Sequence, residues 1–313
     1  GYLNTYFSIE EPEKKWTNLL ECHELYCAGH FIEAAVVYYM ATGKEKIIEI
    51  AKRLANHICD TFGYEKKIQG YPGHQEIEIA LIRLYDLTGD AKYFETAQYF
   101  IDARANNDFF EEEFKRRDKI SFWSKAKEKE LNRWYNQFHL PVREQKTAVG
   151  HAVRAVYMYT AMADIAGRRN DKELFNSCKD IWSNIVDKQI YITGGIGSTH
   201  SGEAFTFDYD LPNDTNYSET CASIGLIFFA QRMMKIDLHR TYGDTIERAL
   251  YNTVLAGMNY EGNRFFYVNP LELVPETCKG NAERNHIKVT RQKWFACACC
   301  PPNLARTIPR LWE

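Results

Sequence analysis

Apolar residues recur at helical spacing after short glycine turns, Thr42-Gly43, Thr88-Gly89-Asp90 and Ala166-Gly167. Ile47, Ala51, Leu54 and Ile58 follow the first, Phe94, Ala97 and Ile101 the second, and Leu174, Cys178, Ile181 and Ile185 the third. Each set is one buried stripe, so the pattern predicts repeated helical hairpins whose first helices close on those turns. A fourth, less regular copy is expected from about Ser223 to Met258, with Ile246, Leu250 and Val254 on one face. The dipeptides Gly29-His30, Gly73-His74 and Gly150-His151 are read as preceding three of the first helices, which would point His74 and His151 into one pocket.

The third copy carries an insert between Asn106 and Val149. Its first half mixes charges of both signs (Glu111 to Glu113, Lys115 to Arg117, Lys125 to Glu130) and is read as a solvated helical face. Its second half is aromatic, with Trp134, Tyr135 and Phe138. Two further stretches, 191–218 and 262–300, break the helical rhythm. Hairpins of this length stack into an open solenoid or close into an α/α toroid around a central pocket. The expected fold is therefore all-α, with irregular loops and some short strands.

The 313 residues carry 39 Lys+Arg against 42 Asp+Glu, a net charge of −3, which supplies no field for nucleic acid or anionic lipid. The longest apolar run, Ala34 to Ala41, is far short of the roughly 20 residues a membrane span requires. With 18 Gly and 9 Pro the chain falls below the usual combined share of about 12 %, which disfavours disorder and turn-rich β folds. Nine cysteines without a basic, apolar, cleavable leader fit a reducing, cytoplasmic setting with free or metal-bound thiols. The start on Gly1 and the stop at Trp312-Glu313, just after a new helical pattern begins, read as a piece of a longer protein.

The densest chemistry is Cys297-Ala298-Cys299-Cys300-Pro301-Pro302, where a proline opens a helix and leaves the thiols at its N-terminus. Unpaired N–H groups and the positive dipole end favour thiolate there, for metal ligation or nucleophilic attack. A purely structural zinc staple completed by Cys278 or Cys221 explains the same cysteines equally well. Glu219 and Cys221 can chelate one cation only from an extended segment or a helix start, with Ser218 as a nearby N-cap; a buried Cys beside an exposed Glu is the plainer reading. Glu203 follows the glycine-rich 194–197 segment, and Phe205 and Phe207 beside it would raise its pKa and suit it to proton donation. His23, His74 and His151 taken singly are ordinary core or surface histidines. Several motifs fail: His23-Glu24 lacks the second histidine of HExxH, Gly195-Ile196-Gly197 lacks the third glycine of a dinucleotide fingerprint, and Pro212 interrupts Asp208, Asp210 and Asp214.

Taken together, HELYCAGHFIEAA at His23, HLPVREQ at His139, GHAVRAVYMY at Gly150, GGIGS at Gly194, GEAF at Gly202, ETCASIG at Glu219, FYVNPLE at Phe266 and CACCPPN at Cys297 resemble the family 127 glycoside hydrolases, the β-L-arabinofuranosidases. The resemblance runs over essentially the whole chain. It implies an (α/α)6 barrel over residues 1–313, lacking its first helices and a C-terminal β-sandwich. It implies a zinc ion held by Glu219, Cys221, Cys299 and Cys300, with Cys299 also the nucleophile and Glu203 the acid/base. It further implies sugar contacts from His23, His74, His151 and Tyr267. Cys297 receives no transferable role, and a task in support of the metal ligands is the expectation. The implied activity is retaining release of β-L-arabinofuranose from an oligosaccharide or glycoconjugate, with a homodimer of the full-length protein left open. A zinc-thiolate glycosidase for another pentofuranoside, or a helical-repeat scaffold with structural zinc, are the alternatives.

Overall fold

A computed structural model describes residues 1–311; Trp312 and Glu313 lie outside the described residues. Two compact units divide the chain, Gly1–Glu144 and a second that begins at Gln145. The fold is all-α. The short strands expected from sequence are absent among the described residues, where only isolated β-bridges occur. No described helix is long and apolar enough to cross a membrane.

The first unit contains α1 (Thr5–Ile9), α2 (Glu24–Thr42), α3 (Glu45–Thr61), α4 (Ile77–Thr88), α5 (Ala91–Asp102) and α6 (Phe109–Arg116). α2 pairs with α3, α4 with α5, and α2 packs on α4. Gly43 and Gly89 close α2 and α4 in the left-handed region at φ 68° and 72°, as the glycine turns predict. The stripe on α3 is Ile48, Ala51, Leu54, Ala55 and Ile58, one position off the expected start at Ile47.

Gly29 and His30 lie inside α2 rather than before it. A Cβ on Gly29 would come within 2.8 Å of Glu76 Cγ and 2.9 Å of Ile77 N, so the glycine serves close approach of α2 to α4. The insert is helical only over α6, and it is not all solvated: Glu113 is fully buried and accepts from Leu19 N (2.7 Å) and Leu20 N (3.1 Å). Two orphan amides at the start of the chain explain why a glutamate is kept inside.

The second unit contains α7 (Ala152–Arg169), α8 (Lys172–Asn184), α9 (Thr220–Ile236), α10 (Arg240–Ala249) and α11 (Cys300–Thr307). α7 runs past the expected stop at Ala166-Gly167 and ends at Asn170, which adopts the left-handed region at φ 53°. α7 and α9 are buried on nearly every side, and they pack on each other, with α8 on α7 and α10 and α11 on α9. A helix apolar all round belongs inside a unit rather than on its surface.

α7 and α9 meet tightly at Gly225, where a Cβ would fall 2.3 Å from Val156 Cγ2 and 3.0 Å from Tyr157 Cε1. Gly225→Ala gains about 1 kcal/mol of helix propensity but forces apart two buried helices, an overpacking cost of about 1–3 kcal/mol or more. Since 2.3 Å is far inside carbon–carbon contact, the expected outcome is a net loss of stability, read by urea denaturation of the full-length protein. An unchanged or raised midpoint would show that the two helices have slack at this crossing.

Candidate functional site

The site is built from two helix N-termini and one strained loop, all in the second unit. Glu219 is the N-cap of α9, with φ −60° and ψ 137°, and Cys221 sits in that helix's first turn. Ser218 is not the cap; it takes φ 42° and turns the chain into the helix. Thr220 N donates to Tyr267 O (3.0 Å) and Glu219 bridges Val268, which ties the 266–269 segment beside the cap. Cys299 is the N-cap of α11 and Cys300 its first residue, with Pro301 and Pro302 following. Asn303 and Arg306 of α11 both donate to Tyr157 Oη of α7 (2.9 and 2.8 Å), which fixes the helix that presents the thiols.

These placements bring four donors together. Cys221 Sγ lies 3.4 Å from Cys300 Sγ, Cys299 Sγ lies 3.8 Å from Cys300 Sγ, and Cys299 Sγ lies 3.3 Å from Glu219 Oε1. All four donor atoms lie within 4.8 Å of one another, and the cysteines are free rather than disulfide-bonded. Glu219, Cys221 and Cys300 are buried, Cys299 is partly open, and Glu219 Oε2 has no hydrogen-bond partner. Burial pushes the Glu219 carboxyl and the Cys221 and Cys300 thiols well up, and contact with the Cys221 and Cys297 thiols pushes Cys299 up.

This donor set fits zinc. A tetrahedral ion with bonds of about 2.0–2.3 Å spans edges of roughly 3.5–3.8 Å, close to the separations found, and three sulfurs with one carboxylate suit zinc rather than calcium or magnesium. A cation also answers the orphaned Glu219 oxygen and the cost of burying several acidic groups side by side. Cys278, the other candidate to complete a staple, instead points its sulfur at Val274 O (3.5 Å). Cys297 is exposed and outside the four-donor cluster, with hydrogen bonding from Cys299 holding its thiol down to about 6.

Glu203 reaches the same place from a loop. It adopts φ 54°, a left-handed conformation costly for a residue with a Cβ. The strain is held by Ala152 N donating to Glu203 O and Phe205 N to Gly150 O (both 2.9 Å), which pin the loop to the start of α7. His151 caps α7: its Nδ1 accepts from Arg154 N (3.4 Å), so Nε2 carries the proton and donates to Glu203 Oε2 at 3.0 Å. Tyr217 Oη donates to Glu203 Oε1 at 2.9 Å. Side-chain donor atoms of His151, Glu203 and Glu219 lie within 4.8 Å of one another.

The raised pKa expected for Glu203 is not found. Burial pushes it up, but the hydrogen bonds from His151 and Tyr217 outweigh burial and leave it below its ordinary value. Phe205 is buried near by, whereas Phe207 is 72 % exposed and does not cover the carboxyl. Tyr267 Oη lies 3.1 Å from Cys299 Sγ, placing the tyrosine at the sulfur. The glycine-rich segment makes room for this arrangement: Gly197 O accepts from Tyr217 N and Ser218 N, and a Cβ on Gly194 would lie 2.5 Å from Ala249 Cα.

His23 and His74 belong to the first unit, with ring centroids 5.3 Å apart and Tyr26 4.3 Å from His74. His74 Nδ1 lies 2.9 Å from Gln75 O. Sequence reasoning missed Tyr217, and with it the parallel His200–His286 pair (4.7 Å, 12°), whose His286 ring is 5.7 Å from Tyr217. The one signal for Tyr217 was its place two residues before Glu219; the turn at Ser218 that folds it onto Glu203 has no mark in the sequence.

The comparisons with known proteins bear on this geometry. The family model for the β-L-arabinofuranosidase GH127 catalytic domain matches residues 1–313. The chain belongs to the GH127 family. A non-reducing end β-L-arabinofuranosidase of Bifidobacterium longum subsp. longum is 41 % identical over 98 % of this chain and 47 % of its own length. Among solved structures, a GH127 β-L-arabinofuranosidase from Geobacillus stearothermophilus T6 is 52 % identical with a TM-score of 0.92, over 97 % of this chain and 48 % of that one. A second GH127 β-arabinofuranosidase is 41 % identical with a TM-score of 0.80, over 95 % and 42 %. The fold class is thus the helical-barrel type of GH127, and the chain spans about half the length of the relatives it matches.

If the GH127 cluster holds a metal, the purified full-length protein contains about one zinc per chain by metal analysis, and Cys300→Ser or Cys221→Ser lowers that content severely. Full zinc occupancy in both variants would place the ion elsewhere.

Proposed function

We propose that the protein is a retaining glycoside hydrolase that releases β-L-arabinofuranose from the non-reducing ends of arabinofuranosides, with Cys299 as nucleophile and Glu203 as acid/base. The observation that carries this reading is the meeting of one partly open sulfur among buried donors with a carboxylate fixed by two hydrogen bonds on a separate loop. The names of the relatives support the substrate class. In this reading residues 1–313 are part of an α/α-barrel catalytic domain, with further barrel helices and a β-sandwich in the rest of the protein.

Zinc held by Glu219, Cys221, Cys299 and Cys300 would supply the positive charge that keeps the sulfurs ionised at neutral pH. Cys299 Sγ then attacks the anomeric carbon while the bond to the leaving oxygen breaks, and Glu203 gives that oxygen its proton. The sugar is left joined to sulfur. Glu203, now a carboxylate, takes a proton from water as the water oxygen bonds to the anomeric carbon, and the carbon–sulfur bond breaks back to thiolate. Two inversions retain configuration.

The other residues act on these two. His151 Nε2–H and Tyr217 O–H hold both Glu203 oxygens, fix the direction of its open lone pairs, and favour the carboxylate needed for the water step. For the first step the carboxyl must carry a proton, which the added burial under a bound sugar favours. Tyr267 Oη, beside the sulfur, donates to the departing thiolate and lines the sugar site. His23 and His74 take sugar-contacting roles in this reading on the family resemblance.

In the full-length protein Cys299→Ser is expected to lower kcat on the order of 10⁴-fold. Glu203→Gln should lower it about 10²–10⁴-fold, and less for a good leaving group such as p-nitrophenolate. A mechanism-based inhibitor of furanose shape should add its mass to Cys299 by peptide mapping. An adduct on Glu203 would reverse the two roles, and unimpaired turnover by Cys299→Ser would end the sulfur mechanism.

A further inference from the structure

Phe207 has no place in the site above, yet it is 72 % exposed and lines a cavity of about 440 Å³. Ala148 and Val149 form one wall, Thr147, Thr206 and Asp208 bring hydroxyl and carboxylate oxygens, and buried Gln189 lies beneath. The floor is rigid: Gln189 Nε2 donates to Ala148 O (3.2 Å) and Asn184 Oδ1 (2.7 Å), while its Oε1 has no partner. Thr206 Oγ1 donates to Ser198 Oγ at 3.0 Å, which leaves its lone pairs available.

The position follows from the pairing that holds Glu203. Ala204 bridges His151 and Phe205 N donates to Gly150 O, so the chain leaves Glu203 antiparallel to residues 148–151 and brings Phe207 opposite Ala148. Four residues of extended chain reach at most about 13 Å. The cavity therefore sits on the same loop as the proton donor, at a distance that a second or third sugar unit spans.

We propose that this cavity is a carbohydrate subsite for the leaving group, in which a neutral sugar residue beyond the cleaved bond lays its C–H face on the Phe207 ring. The proposal rests on the functional reading above. An exposed ring beside short hydroxyls, an amide and a carboxylate is the lining a polyol needs, apolar on one face and hydrogen-bonding at its rim. The charge fixes the class. Asp208 is the single ionisable group of the lining, and its charge is balanced by Lys188 Nζ, with Asn184 Nδ2 on its other oxygen (both 2.8 Å), so it accepts from hydroxyls while the lining brings no cation of its own to hold a phosphate or uronate.

The test uses the full-length protein and two substrates, methyl β-L-arabinofuranoside, which is too short to reach the cavity, and a linear arabinofuranosyl trisaccharide. Phe207→Ala is expected to raise KM for the trisaccharide about tenfold, with turnover of the methyl glycoside within about twofold of wild type; Phe207→Tyr restores the trisaccharide KM. Equal losses on both substrates, or none on either, overturn the subsite. Calorimetry with the trisaccharide and Glu203→Gln gives an independent readout, since binding should weaken by the same factor when Phe207→Ala is added. If the wild type hydrolyses neither compound, the functional reading has failed. Trisaccharide binding that is lost with Phe207→Ala then still upholds the subsite, and no binding overturns it.

Discussion

Four acidic donors packed within 4.8 Å of one another in a largely buried site is the constraint on which the second unit depends. Each of them is pushed towards its neutral form by burial or by its neighbours, and a Glu219 oxygen is left without a partner. Such a cluster is stable as four protonated groups that do nothing, or as a ligand set around a divalent cation. In the proposed reading the second state holds: the cation would keep sulfur ionised at neutral pH and so make a nucleophile of a buried liability.

The surrounding fold serves that cluster by bringing ends of helices to it rather than middles. Glu219 and Cys221 open α9, and Cys299 and Cys300 open α11, so the positive dipole ends of two helices add to whatever charge the cation supplies. Cys299 alone of the four is partly open, which in the proposed reading separates the reacting sulfur from three holding groups without any change of residue type. Glu203 is brought in by strain: a left-handed residue pinned to the start of α7, with histidine and tyrosine donors on its two oxygens.

Hairpins, two of the glycine turns and the helix start at Cys300 were legible in the sequence, because helical periodicity and helix-start prolines act locally; the meeting of Glu219 with Cys299 and Cys300 was implied only by the family resemblance. What was not legible depends on contacts between distant segments. Gly29 looked like the start of a helix and proved to be a crossing point inside one, since a glycine that permits backbone approach looks the same as one that turns the chain. Glu113 looked solvated because its neighbours are charged, and its task, capping the amides of Leu19 and Leu20, lies more than ninety residues away. Phe207 was expected to bury Glu203, but the bend after Thr206 turns its ring outward. Tyr217 required knowledge of the positive φ at Ser218.

X-ray absorption at the zinc edge on the full-length protein tests the central claim most directly. The account predicts a four-coordinate ion with three sulfur neighbours at about 2.3 Å and one oxygen at about 2.0 Å, changing to two sulfurs when Cys299 is replaced by serine. A first shell of nitrogen and oxygen, or a spectrum unaltered by the Cys299 replacement, would contradict it.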